Sequence, residues 1–291
     1  MERLKSVFIS LYLLLTSALA IGVLWQCLAH WPTLRWSWFG AALACAALPL
    51  WLLGLYWRRP PRVAAHLPGV TLVVWLGSGL AVFGTLVDDN PDWRPLASAA
   101  AGLAGFLLYL LWYSHRPPPE ATIQRGMRLP AGTLRAAGRD DPLDVRAMAT
   151  PTLWCFFRGN WSPLCCGQVR ELLGLAPQLA GRGMQLVLVS PQPLPRTEAL
   201  CRGAALQGVR LCQDPGLAFA RRLGLVREGG MPWLLRWLGW GRDVLHPTLM
   251  VTDAEGDLIL LAQCDNERSR PEIGPALKAL ERGALRDAEG E

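Results

Sequence analysis

The chain has 291 residues, 52% of them hydrophobic, with 14 tryptophans, eight cysteines and a formal net charge of +6. This length accommodates one or two domains. The positive charge is not a nucleic-acid signature, because basic residues cluster beside long apolar stretches, as in the loops of membrane proteins; no nucleic-acid partner is expected.

The first 115 residues contain four stretches free of Asp, Glu, Lys and Arg, at about 6–29, 36–57, 67–87 and 95–114. Each offers the roughly 20 residues that a helix needs to cross a hydrocarbon core about 30 Å thick. A basic start with small residues at Ala18 and Ala20 also suits a secretory signal. The apolar run continues through Ile21, Val23, Leu24 and Trp25, which favours an uncleaved span. Arg3 and Lys5 precede the first stretch, Arg58, Arg59 and Arg62 follow the second, and Arg116, Arg125 and Arg128 follow the fourth. The other two loops carry only Arg35 and Arg94, the latter near Asp88, Asp89 and Asp92. Basic loops stay inside. The expectation is a multi-pass protein of a bacterial-type inner membrane, with its C-terminal half facing the cytoplasm.

Trp25, Trp31, Trp36, Trp57 and Trp112 fall near span ends, where indoles favour the headgroup region. The spans lack ionisable midplane groups, so no transport path is indicated. They read as an anchor or assembly surface. Ser98 with Gly102, and Ala101 with Gly105, offer small faces for close packing or are ordinary residues of an Ala-rich helix.

Residues 116–142 are Pro-rich and charged, and read as a linker. A second domain is expected over 143–285, with a short tail at 286–291. PTLWCFFRG reads as a strand, and the segment from Cys165 to about Ala180 as a helix kinked or restarted at Pro177. MQLVLVS reads as a buried strand, TEALCRGAAL as a helix, VRLCQD as a strand and PGLAFARRLGL as a helix. PTLMVTDAEGDLILLAQC reads as a hairpin turning at Asp253–Gly256, and PEIGPALKALERGAL as a closing helix. This alternation implies an α/β domain with a parallel-containing sheet and helices on both faces. The Trp-rich WLLRWLGW suits three roles: a flap over a site, packing beneath a loop, or contact with the bilayer surface.

Chemistry concentrates in FFRGNWSPLCCGQVREL. A strand running into a helix that carries Cys165 in its first turn places a thiol where unpaired N–H groups and the helix dipole favour an anion. Pro163 suits that first turn, and Ser162 suits an N-cap. A free cysteine is equally at home in a core. Six cysteines lie in the C-terminal domain, and cytoplasmic thiols stay reduced, so no disulfide framework is expected. No metal-ligand spacing and no phosphate or dinucleotide fingerprint is present, so neither metal nor cofactor is expected.

The same segment resembles the active-site region of thioredoxin-fold, peroxiredoxin-like proteins, the alkyl hydroperoxide reductase and thiol-specific antioxidant family. Many of them read Phe-Tyr-Arg-Gly-x-Trp-Cys-Pro-x-Cys at this point. MQLVLVSPQP, CQDPGLAFARRLGL, GGMPWLLRWLGW, HPTLMVTDAEGDL and CDNERSRPE are similar to their counterparts in the same order. The resemblance covers about 145–285 and leaves out the membrane region. It implies a thioredoxin-like domain, a mixed sheet flanked by helices.

Ser162 stands where those relatives usually carry a first cysteine, so Cys165 has no dithiol partner within the motif. Cys166 is no substitute, because adjacent cysteines form only a strained ring. Peroxiredoxins proper place Thr or Ser three residues before the peroxidatic cysteine, and Ser162-Pro163-Leu164-Cys165 fits that pattern. They place Pro seven residues before it, where this chain has Arg158, and an Arg at the start of the strand TLMVTD, where it has His246-Pro247-Thr248. The latter resembles the cis-Pro loop of thioredoxins. The resemblance thus implies a catalytic Cys165 and Ser162 surrounded by Arg158, Trp161, Pro163, His246 and Pro247. Either Arg158 or His246 is the candidate for the missing positive charge. Cys212 and Cys264 are candidate resolving thiols.

The implied function is a membrane-anchored thiol peroxidase that reduces a hydroperoxide through Cys165 alone and is reset by an external thiol. The alternatives are a catalytically silent module that binds a partner at the membrane, and thiol–disulfide exchange with a small thiol or partner through Cys165.

Overall fold

The computed structural model describes residues 1–29, 35–88, 92–138 and 140–278. Trp31, Asp89, the end of the closing helix and the expected tail lie outside the described residues. The chain forms two compact units.

The first unit comprises residues 1–58, 64–115 and 230–241. Its helices are α1 (Glu2–Ala29), α2 (Trp36–Arg58), α3 (Pro68–Val87) and α4 (Trp93–Leu108), the last continued by a wide turn over Tyr109–Tyr113. All four are long and apolar enough to cross a membrane, which marks a membrane protein. Small residues let their backbones approach closely. A Cβ on Gly77 would lie 2.7 Å from the Ala44 nitrogen of α2, and one on Gly102 would lie 3.0 Å from the Ala44 oxygen. A Cβ on Gly105 would enter the Tyr12 ring of α1. Two of the small residues singled out in the sequence therefore lie at helix contacts.

Residues 230–241 hold a short helix that contacts α1. The Ser6 hydroxyl donates to the Met231 carbonyl, and the Leu234 N–H donates to Ser10 Oγ at 3.1 Å. The Trp-rich segment thus packs with the membrane helices.

The second unit comprises residues 59–63, 116–229 and 242 onward. Its strands are β1 (Thr133–Ala136), β2 (Leu143–Asp144), β3 (Thr152–Phe156), β4 (Gln185–Ser190), β5 (Val209–Gln213), β6 (Val226–Arg227), β7 (Val244–Leu245), β8 (Thr248–Thr252) and β9 (Leu258–Gln263). The helices are α5 (Pro163–Ala180), α6 (Leu194–Leu200) and α7 (Ala218–Arg222), while α8 (Trp233–Trp237) is the short helix of the first unit. Seven strands form one sheet in the order β2-β1-β5-β4-β3-β8-β9, and β6 pairs with β7 separately. β3, β4 and β5 are parallel, with Phe156 opposite Val189, whereas β8 runs antiparallel to β3 and β9 antiparallel to β8. This is the mixed, thioredoxin-like arrangement.

Alternate side chains of β3 point to opposite faces. Leu153 and Cys155 join Val169 and Leu172 of α5 in one core, and Trp154 and Phe156 join Phe219 and Leu223 in the other. Both faces are covered, so β3 and β4 read as continuous apolar runs rather than alternating ones.

Several local expectations differ from the structure. The stretch expected as a linker carries β1, whose Leu134 and Ala136 enter the core while Arg135 pairs with Gln213. Helix α5 runs unbroken past Pro177. The missing N–H removes one bond near the helix end, and the stripe Leu172, Leu173, Ala176 and Leu179, buried against the sheet, holds the helix together. PGLAFARRLGL breaks at Leu217, whose φ of 60° separates a 3-10 turn from α7. The β6–β7 hairpin was not expected, being only two residues per strand. Residues 273–278 begin the closing helix.

Candidate active site

Cys165 is the third residue of α5 and has no exposed surface. Ser162 sits at the N-cap with extended dihedrals, and its carbonyl accepts the first helical bond from the Cys166 N–H at 3.1 Å. Its hydroxyl caps no helical N–H. Instead Arg270 Nη2 donates to Ser162 Oγ at 3.3 Å and to Cys165 Sγ at 3.5 Å. The same guanidinium is oriented through Nη1, which donates to the carbonyls of Glu267 and Ser269 at 2.9 and 2.7 Å. Gln168 of α5 donates to the Pro271 carbonyl at 3.4 Å and ties the Arg270 segment to the helix.

Burial by itself pushes the Cys165 thiol up. The Arg270 guanidinium, then that of Arg158, then the Ser162 hydroxyl and the Arg158 backbone reverse this and hold the thiol below its ordinary value. Arg158 is buried, donates through Nε to the Leu245 carbonyl at 3.1 Å, and forms a two-pronged pair with Glu267. Glu267 also faces buried Arg116 at 3.6 Å. Trp161 donates to the Arg158 carbonyl at 3.2 Å and lies 6.0 Å beneath its guanidinium.

His246 does not supply the positive charge. Burial, with Arg227, Arg158 and Arg270 nearby, pulls it down to about 2, so the ring is neutral. Arg227 Nε donates to its Nδ1 at 3.2 Å, which leaves the proton on Nε2. Pro247 follows at the head of β8. The positive charge comes from Arg158 and from Arg270, which motif reasoning passed over. Arg270 lies within CDNERSRPE, a segment matched only by resemblance, whose two arginines among three acidic residues give no local signal of a role beside Cys165.

The other thiols differ. Cys212 lies in the opposite core from Cys165, and burial pushes it up to about 12. Cys264 is half-buried and raised by burial. Cys166 is raised to about 11 by burial and by Cys165, and its sulfur lies 3.5 Å from the Asn160 carbonyl. Cys155 shares the core of Cys165 and is raised by burial. Among the six cysteines of the second unit only Cys165 is held low. Among the described residues no His, Cys, Asp and Glu cluster suits a metal.

Fold and site together define a thioredoxin-like α/β domain carrying a buried thiol, held below its ordinary pKa, at a helix N-terminus, attached to a membrane-helix region. No protein-family model matches the chain, and no curated protein matches it. Solved structures similar to it include reduced Prx3 from Vibrio vulnificus, at 20% identity, covering 55% of this chain and 99% of that one with a TM-score of 0.45. A yeast mitochondrial 1-Cys peroxiredoxin is 14% identical over 58% of this chain and 80% of its own, with a TM-score of 0.47. Enterococcus faecalis AhpC is 13% identical over 57% and 96%, also at 0.47.

Proposed function

We propose that the protein is a membrane-anchored thiol peroxidase working through Cys165 alone, its α/β domain facing the cytoplasm. The observation that carries this reading is the Arg270 guanidinium, which donates to both Cys165 Sγ and Ser162 Oγ. A buried charge needs such a partner, and a guanidinium beside sulfur also stabilises the oxyanion that forms as a peroxide O–O bond breaks. The thiolate attacks one oxygen of ROOH. An S–O bond forms, the O–O bond breaks, and the leaving alkoxide takes a proton to become ROH, leaving Cys165 as a sulfenic acid. One external thiol then displaces water to give a mixed disulfide, and a second releases Cys165 and the external disulfide. The opposite-core position of Cys212 favours an external reductant over internal resolution.

Complete burial of Cys165 favours the second reading, a module that binds a partner and performs no chemistry. The experiment is rapid mixing of the full-length protein in detergent with hydrogen peroxide, followed by sulfenic-acid trapping, with Cys165→Ser as control. Fast trapping lost in the variant supports the peroxidase. Absence of trapping in the native protein leaves the binding module. Formation of a Cys165 mixed disulfide with a small disulfide, without peroxide consumption, selects exchange chemistry instead.

A further inference from the structure

We infer that α8 is an interfacial membrane element, with Trp237 and Leu238 inserted at the headgroup–acyl boundary of the leaflet that holds the N-terminal end of α1. α1 has 28 residues and is therefore about 42 Å long at 1.5 Å per residue. A hydrocarbon core of about 30 Å leaves roughly 6 Å of helix in each headgroup region. Ser6, on the second turn of α1 and about 6 Å from its start, lies at that boundary, and Ser10, one turn deeper at about 12 Å, lies just inside it. Both bond to the α8 segment, one through the Met231 carbonyl and the other through the Leu234 N–H. These bonds fix α8 at boundary depth.

The outward side chains have the chemistry of that depth. Trp237 is 76% exposed and Leu238 70%, with Arg236 and Arg3 also exposed. Trp233 meets Trp237 edge to face at 5.4 Å, so two indoles form one rigid amphipathic pair. Indoles favour the interface, and arginine favours anionic phosphates. Exposed to water, an indole beside a leucine would be an uncompensated apolar patch; against a phospholipid leaflet the same pair is satisfied. The inference does not depend on Cys165 chemistry.

The test is photocrosslinking in vesicles of phosphatidylethanolamine and phosphatidylglycerol. The full-length chain carries p-benzoyl-phenylalanine in place of Trp237, Leu238, Leu15 or Leu206. Leu15, 54% exposed within α1, is the lipid-contact control, and Leu206, 43% exposed on the second unit, is the aqueous control. Expected are lipid adducts at 237 and 238 comparable to those at 15, and on the order of tenfold above those at 206. Adducts at 237 and 238 no higher than at 206, or crosslinks to polypeptide rather than lipid, overturn the inference. Both positions are exposed, so the probes leave the core intact.

Discussion

Arg270 Nη2 stands 3.5 Å from Cys165 Sγ, joining residues 105 positions apart in the chain. Its charge does most to hold a fully buried thiol below its ordinary value. Arg270→Gln keeps a donor but removes the charge. The expected result is a rise in the Cys165 thiol pKa and a loss of reactivity toward peroxide on the order of ten- to hundredfold at neutral pH. Alkylation rate against pH, measured on both proteins, reads the shift directly; an unchanged profile refutes the role assigned to Arg270.

Ser162 occupies an N-cap without capping. An ordinary N-cap Ser→Ala change costs about 1 kcal/mol. Because the Ser162 hydroxyl serves Arg270 instead of a helical N–H, Ser162→Ala is expected to leave the thermal midpoint nearly unchanged while slowing Cys165 oxidation by about tenfold. A midpoint drop without a rate change would reverse that assignment.

Gly167 and Gly174 share helix α5 but not surroundings. A Cβ on Gly167 would collide with the Pro60 carbonyl and lie 2.5 Å from the Arg59 oxygen, whereas one on Gly174 meets nothing within 4 Å. Residues 59–63 are held there by the Arg62–Glu171 ion pair at 3.0 Å. Gly174→Ala is expected to stabilise by about 0.5–1 kcal/mol through helix propensity. Gly167→Ala carries the same propensity gain but is expected to be net destabilising by roughly 1–3 kcal/mol from overpacking. Chemical denaturation of the pair distinguishes them; equal shifts would deny the packing of residues 59–63 on α5.

His246 has a folded pKa of about 2 against an unfolded value of about 6.5. The unfolded chain therefore binds the extra proton between those values. The stability this group contributes is full above about pH 6.5 and declines as pH falls toward 2, with a slope of up to ~1.4 kcal/mol per pH unit. His246→Asn, which cannot titrate, is expected to flatten the loss of stability between pH 7 and 5. Urea midpoints at the two pH values check this. The same low pKa predicts that His246 contributes no limb to the activity profile from pH 5 to 8.

Much of this architecture was legible because it depends on local pattern. Apolar runs of 20 or more residues marked α1 to α4, and the change to strand–helix alternation marked β3, α5, β4, β5, β8 and β9. Cys165 stood out because a strand, a turn and a Ser-Pro helix start lie in consecutive residues. β1, β6 and β7 escaped because two to four residues carry too little periodicity to register, and their pairing partners are far away in the chain.

The sequence by itself determined the long helices and the longer strands, which segments can cross a bilayer, and which sulfur begins a helix. Tertiary structure alone decided the charge around that sulfur. It brought Arg270 and Arg158 to Cys165, neutralised His246 against Arg227, and placed Cys212 in the opposite core. It also joined Leu234 to Ser10 across 224 positions. Backbone periodicity is written within a few residues of itself, whereas burial and the electrostatic partners of a buried group are set by segments that meet only when the chain has folded.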